Sequence, residues 1–311
     1  ALCAGMGVAV AQEYPTKLIR IILPFTPGGS SDVYARLLAG ELQQAWGKSV
    51  IVENRPGATG VIGSDFVRQS SPDGYTLLWV NAGFATNASL YKKLNHDPVK
   101  DFSPITQLTS QSYVLVVHPS IPVRSVREFV ALSQPRKGGF AYGSTGAGSL
   151  PHLGMELFKL RANIAATHVP YKGAGPALID LIGGQIDAMM PTMIAGTPFV
   201  KAGKLRAIAV TTKKRASNFP DVPTIDESGV PGYEIRTWYG VFAPAGTSPA
   251  IVKRLQAEIA KVLQLPVVRE KLTSLGADST VTNSPEEFAA FTRSEIDKWI
   301  KVVRDAGIQP E

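Results

Sequence analysis

The chain alternates short apolar runs with amphipathic helical patterns, and Gly, Pro or Ser marks most changeovers; few folds accept that rhythm. Leu18-Ile-Arg-Ile-Ile-Leu23 reads as a strand, stopped by Pro24 and the Pro27-Gly28-Gly29 turn. Ser30 or Ser31 can then cap a helix in which Tyr34, Leu38, Leu42 and Ala45 share one apolar face. Val50-Ile-Val-Glu53 is the next strand, followed by an Asn54-Arg-Pro-Gly57 loop and a short helix around Gly63 to Arg68. Pro72-Asp73-Gly74 is a turn, and Tyr75 to Val80 a third strand. Such a β-α-β-α-β start predicts a parallel sheet covered by helices.

A second set begins after Gln111. Tyr113 to Val117 reads as a strand, and Ser125-Val-Arg-Glu128 as a capping box. Gly139 to Tyr142 is a strand, Gly143 to Ser149 a loop, Leu150 to Leu160 a helix and Ala166 to Pro170 a strand. Gly175-Pro176 starts another helix; Ile186 to Met190 and Leu205 to Val210 are strands. Phe219 to Pro231 reads as surface loop, and Ile235 to Phe242 resumes an extended pattern. Ser248-Pro249 and Ser284-Pro285-Glu286-Glu287 place Pro at the first position of two closing helices. In the last of these, Phe288, Phe291, Ile296, Trp299 and Val303 form a stripe that suits core packing. Two α/β units result, with a helical tail that can return to the first. The expected division is 12–110 plus 240–311 for lobe 1 and 111–239 for lobe 2.

The 311 residues suit about two domains, and 44% hydrophobic with 18% charged residues suits a buried core. A net charge of +7 is compatible with anionic partners. The basic residues are scattered, however, and their densest cluster is Lys213-Lys214-Arg215, so a nucleic-acid partner is not expected. The opening Ala1 to Ala11 reads as the tail of a signal peptide, with cleavage after Ala9-Val10-Ala11. A buried strand there is disfavoured by its Gly and Ala content. The single cysteine, Cys3, lies in that piece, so disulfides and thiolate metal sites are not expected of the mature chain. Leu2 sits where lipoprotein signals usually carry a small residue, which argues against lipidation of Cys3. No later stretch has roughly 18 apolar residues in a row. A periplasmic monomer is expected.

Two loops stand out as candidate chemistry. One is Pro24-Phe25-Thr26-Pro27-Gly28-Gly29-Ser30-Ser31-Asp32, the other Tyr142-Gly-Ser144-Thr145-Gly146-Ala-Gly-Ser149; each joins a strand to a helix. Open α/β sheets bind ligands at the carboxyl ends of their strands. A helix start there offers N–H groups and partial positive charge to an anion, and glycine lets the ligand come close. Ser30, Ser144, Thr145 and Ser149 would add hydroxyls. Asn81 and Thr86, after the third strand, would sit on the same edge. His152 is compatible with a cap, a ligand contact or simple packing. Asp187 suits a turn, or a bond to a ligand amine or protonated carboxyl if it faces the cleft. Trp238 and Tyr239 suit a cleft wall or the core.

Motifs for catalysis are missing. There is no G-x-S-x-G elbow, no G-x-x-x-x-G-K-[ST], no G-x-G-x-x-G and no H-E-x-x-H, and the histidines at 96, 118, 152 and 168 lack metal-ligand spacing. No cofactor and no metal are expected, and the sequence offers no nucleophile with a base beside it. A ligand-sensing subunit, or less readily a hydrolase or transferase acting on an anionic substrate, are the rival readings.

These residues resemble the solute-binding components of tripartite tricarboxylate transporters, the Bug family. The resemblance rests on Tyr14-Pro15, Pro24-Phe25, Pro27-Gly28-Gly29 with Asp32, Val52-Glu-Asn-Arg-Pro-Gly57 and Pro72-Asp-Gly-Tyr75. Asp101-Phe102, Gly143-Ser144 to His152-Leu153, Tyr171-Lys-Gly173, Gly183-Gly-Gln185 with Asp187, and Pro223-Thr224 complete it. It covers nearly the whole mature chain. It implies a two-lobed Venus-flytrap α/β fold (type II periplasmic binding protein) with mostly parallel sheets flanked by helices. It also implies a small organic carboxylate held by the loops at Phe25–Ser30 and Ser144–Ser149, partly through water. Membrane permease subunits are the implied partners.

Overall fold

The computed structural model describes residues 14–28, 30–133, 139–277, 279–280 and 283–310. The signal-peptide reading with Cys3 and Ala11, and Gly29 of the first loop, lie outside the described residues.

The first unit starts β1 (Ile19–Leu23), α1 (Ser30–Trp46), β2 (Val50–Asn54), α2 (Val61–Arg68), β3 (Thr76–Asn81), α3 (Gly83–Leu90), and crosses over on β4 (Phe102–Ser112). The second contains β5 (Val114–Val117), α4 (Val126–Ser133), β6 (Phe140–Ser144), α5 (Leu150–Ala162), β7 (Ala166–Pro170), α6 (Ala174–Ile182), β8 (Ala188–Met189), α7 (Met193–Lys201) and β9 (Arg206–Val210). The chain returns on β10 (Arg236–Pro244) and ends with α8 (Pro249–Gln264), α9 (Pro266–Ser274), β11 (Ser279–Thr280) and α10 (Pro285–Asp305).

The strands form two sheets, ordered β11-β4-β10-β3-β1-β2 and β7-β6-β8-β5-β9. Parallel pairing appears where the β-α-β pattern predicts it: Ile21 faces Val52 and Leu77, and Tyr142 faces His168 and Ala188. The sheets are nevertheless mixed, which corrects the expectation of mostly parallel ones. β10 runs antiparallel to β3 and β4, and β5 antiparallel to β8 and β9. A chain that leaves a lobe on one strand and re-enters on its neighbour must run those strands in opposite directions. β10 also lies in the first sheet from Arg236 onward, so residues 236–239 pair there rather than in the second lobe.

Strand alternation builds a core on each face of the first sheet. Ile21, Leu23, Leu77 and Trp79 pack with Tyr34, Leu38 and Leu42 of α1 and Leu255 and Ile259 of α8. Their neighbours Ile22, Leu78 and Val80 join the opposite core, with Phe288, Trp299 and Val303 of α10. The stripe read from the sequence is therefore core, and α10 packs against the first sheet. Ser284 and Glu287 complete a reciprocal capping box that starts α10. Ser125 supplies half of one: its hydroxyl accepts the Glu128 N–H, while the Glu128 carboxylate turns to the Arg124 N–H.

The stretch from Phe219 to Pro231 is not wholly surface. The Val210 N–H donates to the Pro223 carbonyl and the Ile225 N–H to the Val210 carbonyl, with Ile225 and Val230 buried. It covers the open edge of β9, which an exposed strand needs.

Candidate ligand-binding cleft

The first loop leaves the carboxyl end of β1, and side chains from α1, β2 and β10 pin it. The Asp32 carboxylate, in the first turn of α1, accepts the Gly28 N–H at 3.1 Å and Arg36 Nε at 3.0 Å. Asn54, at the end of β2, donates Nδ2 to the Phe25 carbonyl at 2.9 Å and to Asp32 at 3.0 Å. The Arg36 hydrogen bond, opposed by burial and helped by Asn54 and Gly28, holds Asp32 below the usual carboxylate range. Ser30 Oγ lies 2.9 Å from the hydroxyl of Tyr239 on β10. Thr26, Pro27 and Gly28 face solvent, with Phe25 and Ser30 half-buried. Gly28 has φ 86°, which suits glycine.

The second loop leaves the carboxyl end of β6 in the same manner. Ser144 is fully buried; its Oγ accepts the Gly146 N–H at 3.1 Å and lies 2.7 Å from His168 Nε2 on β7. The Ser149 hydroxyl donates to the Gly146 carbonyl at 2.6 Å. Both hydroxyls therefore shape the loop. His152 Nδ1 accepts the Gly148 N–H at 3.0 Å, and its ring stacks on His168 at 3.9 Å. Ala147 is exposed, and Thr145, Gly146 and Ser149 are half-buried.

Burial lowers both histidines below their ordinary 6.5; His168 falls to about 4, with His152 as the next cause. Glu156 accepts Lys159 Nζ at 2.8 Å and the Tyr142 hydroxyl at 2.5 Å beneath the pair. The sequence offers no nucleophile beside a base, yet Ser144 and His168 are such a pair in space. A substrate cannot reach a hydroxyl with no exposed surface, so the contact reads as structural.

Other expected residues divide. Asn81 Oδ1 accepts the Gly83 N–H at 2.9 Å and turns the chain into α3, beside Tyr239. Thr86 is buried and donates to the Gly83 carbonyl at 3.1 Å, so it does not line the cleft. Asp187 takes the backbone-bonding alternative. Its carboxylate accepts the Ala141 N–H at 2.8 Å, three residues back along β6 from Ser144. At about 3.3 Å per strand residue, that is roughly 10 Å from the loop. Trp238 is core, its indole N–H on Glu295 at 3.2 Å, whereas Tyr239 reaches the first loop.

A rim joins the loops. The turn Ala58–Gly60 packs on Pro24 and Phe25 through Gly60. The Thr59 carbonyl accepts Asn87 Nδ2 from α3 at 3.2 Å, and its hydroxyl lies 3.0 Å from that of Tyr91. Leu90 then fills the space beside Gly148 of the second loop. Thr59, Leu90, Tyr91, Ala147, Gly148 and His152 line a pocket of ≈ 100 Å³ there. Ala58 and Thr59 hold positive φ of 46° and 53°, strain of a kind that collects at working sites. Larger concavities of ≈ 520 and ≈ 510 Å³ lie elsewhere, lined by long charged side chains such as Arg161, Lys298 and Arg206. Neither is lined by a residue of the Phe25–Ser30 or Ser144–Ser149 loop, so size does not locate the site. Among the described residues no cluster of His, Cys, Asp or Glu is arranged to hold a metal, and no helix is long and apolar enough to cross a membrane.

Two lobes joined by crossing strands, each with a glycine loop from strand end to helix start, define a binding protein of the periplasmic class. Residues 34–308 match the model of the tripartite tricarboxylate transporter family receptor, and the chain belongs to that family. It is 39% identical to protein BugT of Bordetella pertussis over 98% of this chain and 94% of that one. Rpa4515 of R. palustris, solved with adipate, is 37% identical, with a TM-score of 0.87 over 96% of this chain and all of that one. The periplasmic binding protein BugD is 33% identical, with a TM-score of 0.83 over 96% of this chain and all of that one. The family is one of receptors for solutes.

Proposed function

We propose that this chain is a periplasmic receptor that closes its two lobes on a small organic carboxylate and delivers it to the permease of a tripartite transporter. It does so without chemical turnover. The observation that carries this reading is the matched pair of loops, Phe25–Ser30 before α1 and Ser144–Ser149 before α5, bridged by Thr59, Leu90 and Tyr91. Each loop presents backbone beside a helix N-terminus to one end of an anion. Exposed Thr26 and Gly28 and half-buried Thr145 and Gly146 are the expected contacts. The adipate held by Rpa4515, a dicarboxylate, supports a ligand with two such ends.

The energetics set what closure must add. One helix end contributes about 0.3–1 kcal/mol when exposed and up to ~2 when partly buried. Micromolar binding requires about 8 kcal/mol. The remainder comes from charge-assisted hydrogen bonds, worth about 1.5–3 kcal/mol each, in a cleft that excludes water. A thermal-shift panel of carboxylates tests this directly. A true ligand at roughly 100 times its dissociation constant adds about 2.7 kcal/mol of stability. If no mono-, di- or tricarboxylate raises the melting temperature, the reading fails. Small-angle scattering checks closure, since a ligand that leaves the radius of gyration unchanged at saturation does not close the lobes. Co-purification with the permease subunits separates transport from sensing.

A further inference from the structure

The two stacked histidines beneath the second loop have no part in the capture just described, yet each fastens one end of that loop. His168 meets Ser144, the last residue of β6, at 2.7 Å. His152 accepts the Gly148 N–H, one residue before the cap of α5, at 3.0 Å. Between these two points lie Thr145, Gly146 and Ala147.

We infer that the His152–His168 pair positions the second loop, and that its protonation reshapes the loop and releases whatever the loop holds. This inference rests on the proposed capture of a carboxylate for its last step only.

The hydrogen bonds set the direction. An imidazole accepts through a nitrogen that carries no proton. His152 Nδ1 is such a nitrogen, so the observed loop requires it bare. A proton placed there faces the Gly148 N–H donor to donor, and one of the two must move. The Ser144 contact is more tolerant. A protonated His168 can donate to Ser144 Oγ while the hydroxyl proton turns to the Gly146 carbonyl, which lies 2.9 Å away. His152 is therefore the sensitive member, and His168 tunes it: with ring centroids 3.9 Å apart, a proton on either ring opposes one on the other.

Titratable and charged groups face the pair from three elements besides β7. On α5, Glu156 Oε1 lies 4.0 Å from His152 Nε2 and favours its protonation, while Lys159 opposes it. On β6, the Tyr142 ring stacks on His168, and its hydroxyl is tied to Glu156. Just beyond α3, Tyr91 shares the pocket with His152. Burial lowers both imidazoles below 6.5, so the neutral pair and the formed loop go together. The pair's contribution is complete above 6.5 and is lost as pH falls from there through the lowered values of the folded protein, about 4 for His168.

The test follows the Gly148 amide by nitrogen-15 NMR in the ligand-free protein, from about pH 7.5 to about pH 3.5, a range that spans the ordinary histidine value and the lowered ones, about 4 for His168. His152→Asn places an amide oxygen where Nδ1 stands but cannot titrate there, and His168→Gln does the same for Nε2. The wild-type Gly148 resonance is expected to shift across this range, and the doubly substituted protein's to stay flat. A wild-type resonance that ignores pH, or equal shifts in both proteins, overturns the inference. In parallel, calorimetry with adipate is expected to show about tenfold more weakening on acidification in the wild type than in the double variant, the effect of roughly one pKa unit. Equal weakening assigns the pH dependence to adipate itself and overturns the release step. Absence of adipate binding at neutral pH counts against the proposed function, and the Gly148 resonance still decides the loop.

Discussion

Asn54 donates its side-chain amide to the Asp32 carboxylate at 3.0 Å, and the same nitrogen lies 2.9 Å from the Phe25 carbonyl, so the end of β2 sets the shape of the first loop. Asp32 is thus the hub for Gly28, Arg36 and Asn54. Asp32→Ala leaves the Gly28 N–H to solvent and removes one of the two acceptors of the Asn54 amide, the Phe25 carbonyl remaining. The expected loss is about 1–3 kcal/mol in urea unfolding, together with weaker ligand binding. Half-exposed Arg36 is screened by solvent, so its ion pair adds little to that figure. The carboxyl is lowered in the folded state, so its stabilisation is complete above its ordinary 3.8 and is lost as pH falls through the folded value. The Asp32→Ala effect should therefore shrink on acidification below about pH 4. An effect that stays constant down to about pH 3 contradicts the assignment.

Much of this fold was legible because burial on alternate faces writes itself into strands such as Ile19–Leu23 and Thr76–Asn81. β4 was not legible. Its Phe102, Ile105 and Leu108 recur every third residue among Ser, Thr and Gln, and Pro104 sits opposite Phe242 at an irregularity in the pairing. Neighbouring strands bury those polar residues, a tertiary effect without local signal. α7 was hidden by its internal Pro198, and α3 by the lack of a polar face. At the site, glycines betrayed both loops. Their anchors were not visible, because Asn54, His168 and Tyr239 lie 22, 24 and 209 residues from the side chains they hold. A single sequence carries no record of such pairings. Asp187 left two readings open for the same reason, because its partner, the Ala141 N–H, lies 46 residues away.

Glu295 of α10 accepts two buried indole N–H groups, Trp238 at 3.2 Å and Trp299 at 3.3 Å, and joins the tail helix to β10. Glu295→Ala strands both donors in the core, at a cost of about 1–3 kcal/mol each. The expected result is a loss of roughly 2–4 kcal/mol in urea unfolding followed by tryptophan fluorescence. Because the indoles flank the returning strand and not the loops, ligand affinity of the folded fraction should change far less. A variant as stable as the wild type would show that these contacts are not held in solution.

Tyr239→Phe removes only the hydroxyl, which meets Ser30 at 2.9 Å and also hydrogen-bonds the buried Thr237. Ser30 is half-buried and can recover a water, so the expected loss of stability is small, about 0.5–1.5 kcal/mol. The ring remains packed on Tyr34 and Trp79. Calorimetric ligand affinity should fall with it, since Ser30 closes the first loop where α1 begins. A variant with reduced stability but unchanged affinity would remove Tyr239 from the account of the site.

Gly148 offers the sharpest test of how the lobes meet. It holds φ 71°, and a Cβ built there would lie 2.7 Å from Cδ1 of Leu90 across the rim. Gly148→Ala therefore combines two penalties: about 1–2 kcal/mol for a left-handed alanine and about 1–3 kcal/mol for the overlap. The first acts in any lobe arrangement, and the second only while Leu90 sits against the loop. Leu90→Ala removes the overlap but not the backbone strain. In a double-mutant cycle, Gly148→Ala should cost ligand affinity when Leu90 is in place and much less when combined with Leu90→Ala, with a coupling of about 1–2 kcal/mol. Additive effects on affinity would mean that Leu90 and Gly148 are apart in the ligand-bound protein, and that the rim joining the two loops does not form there.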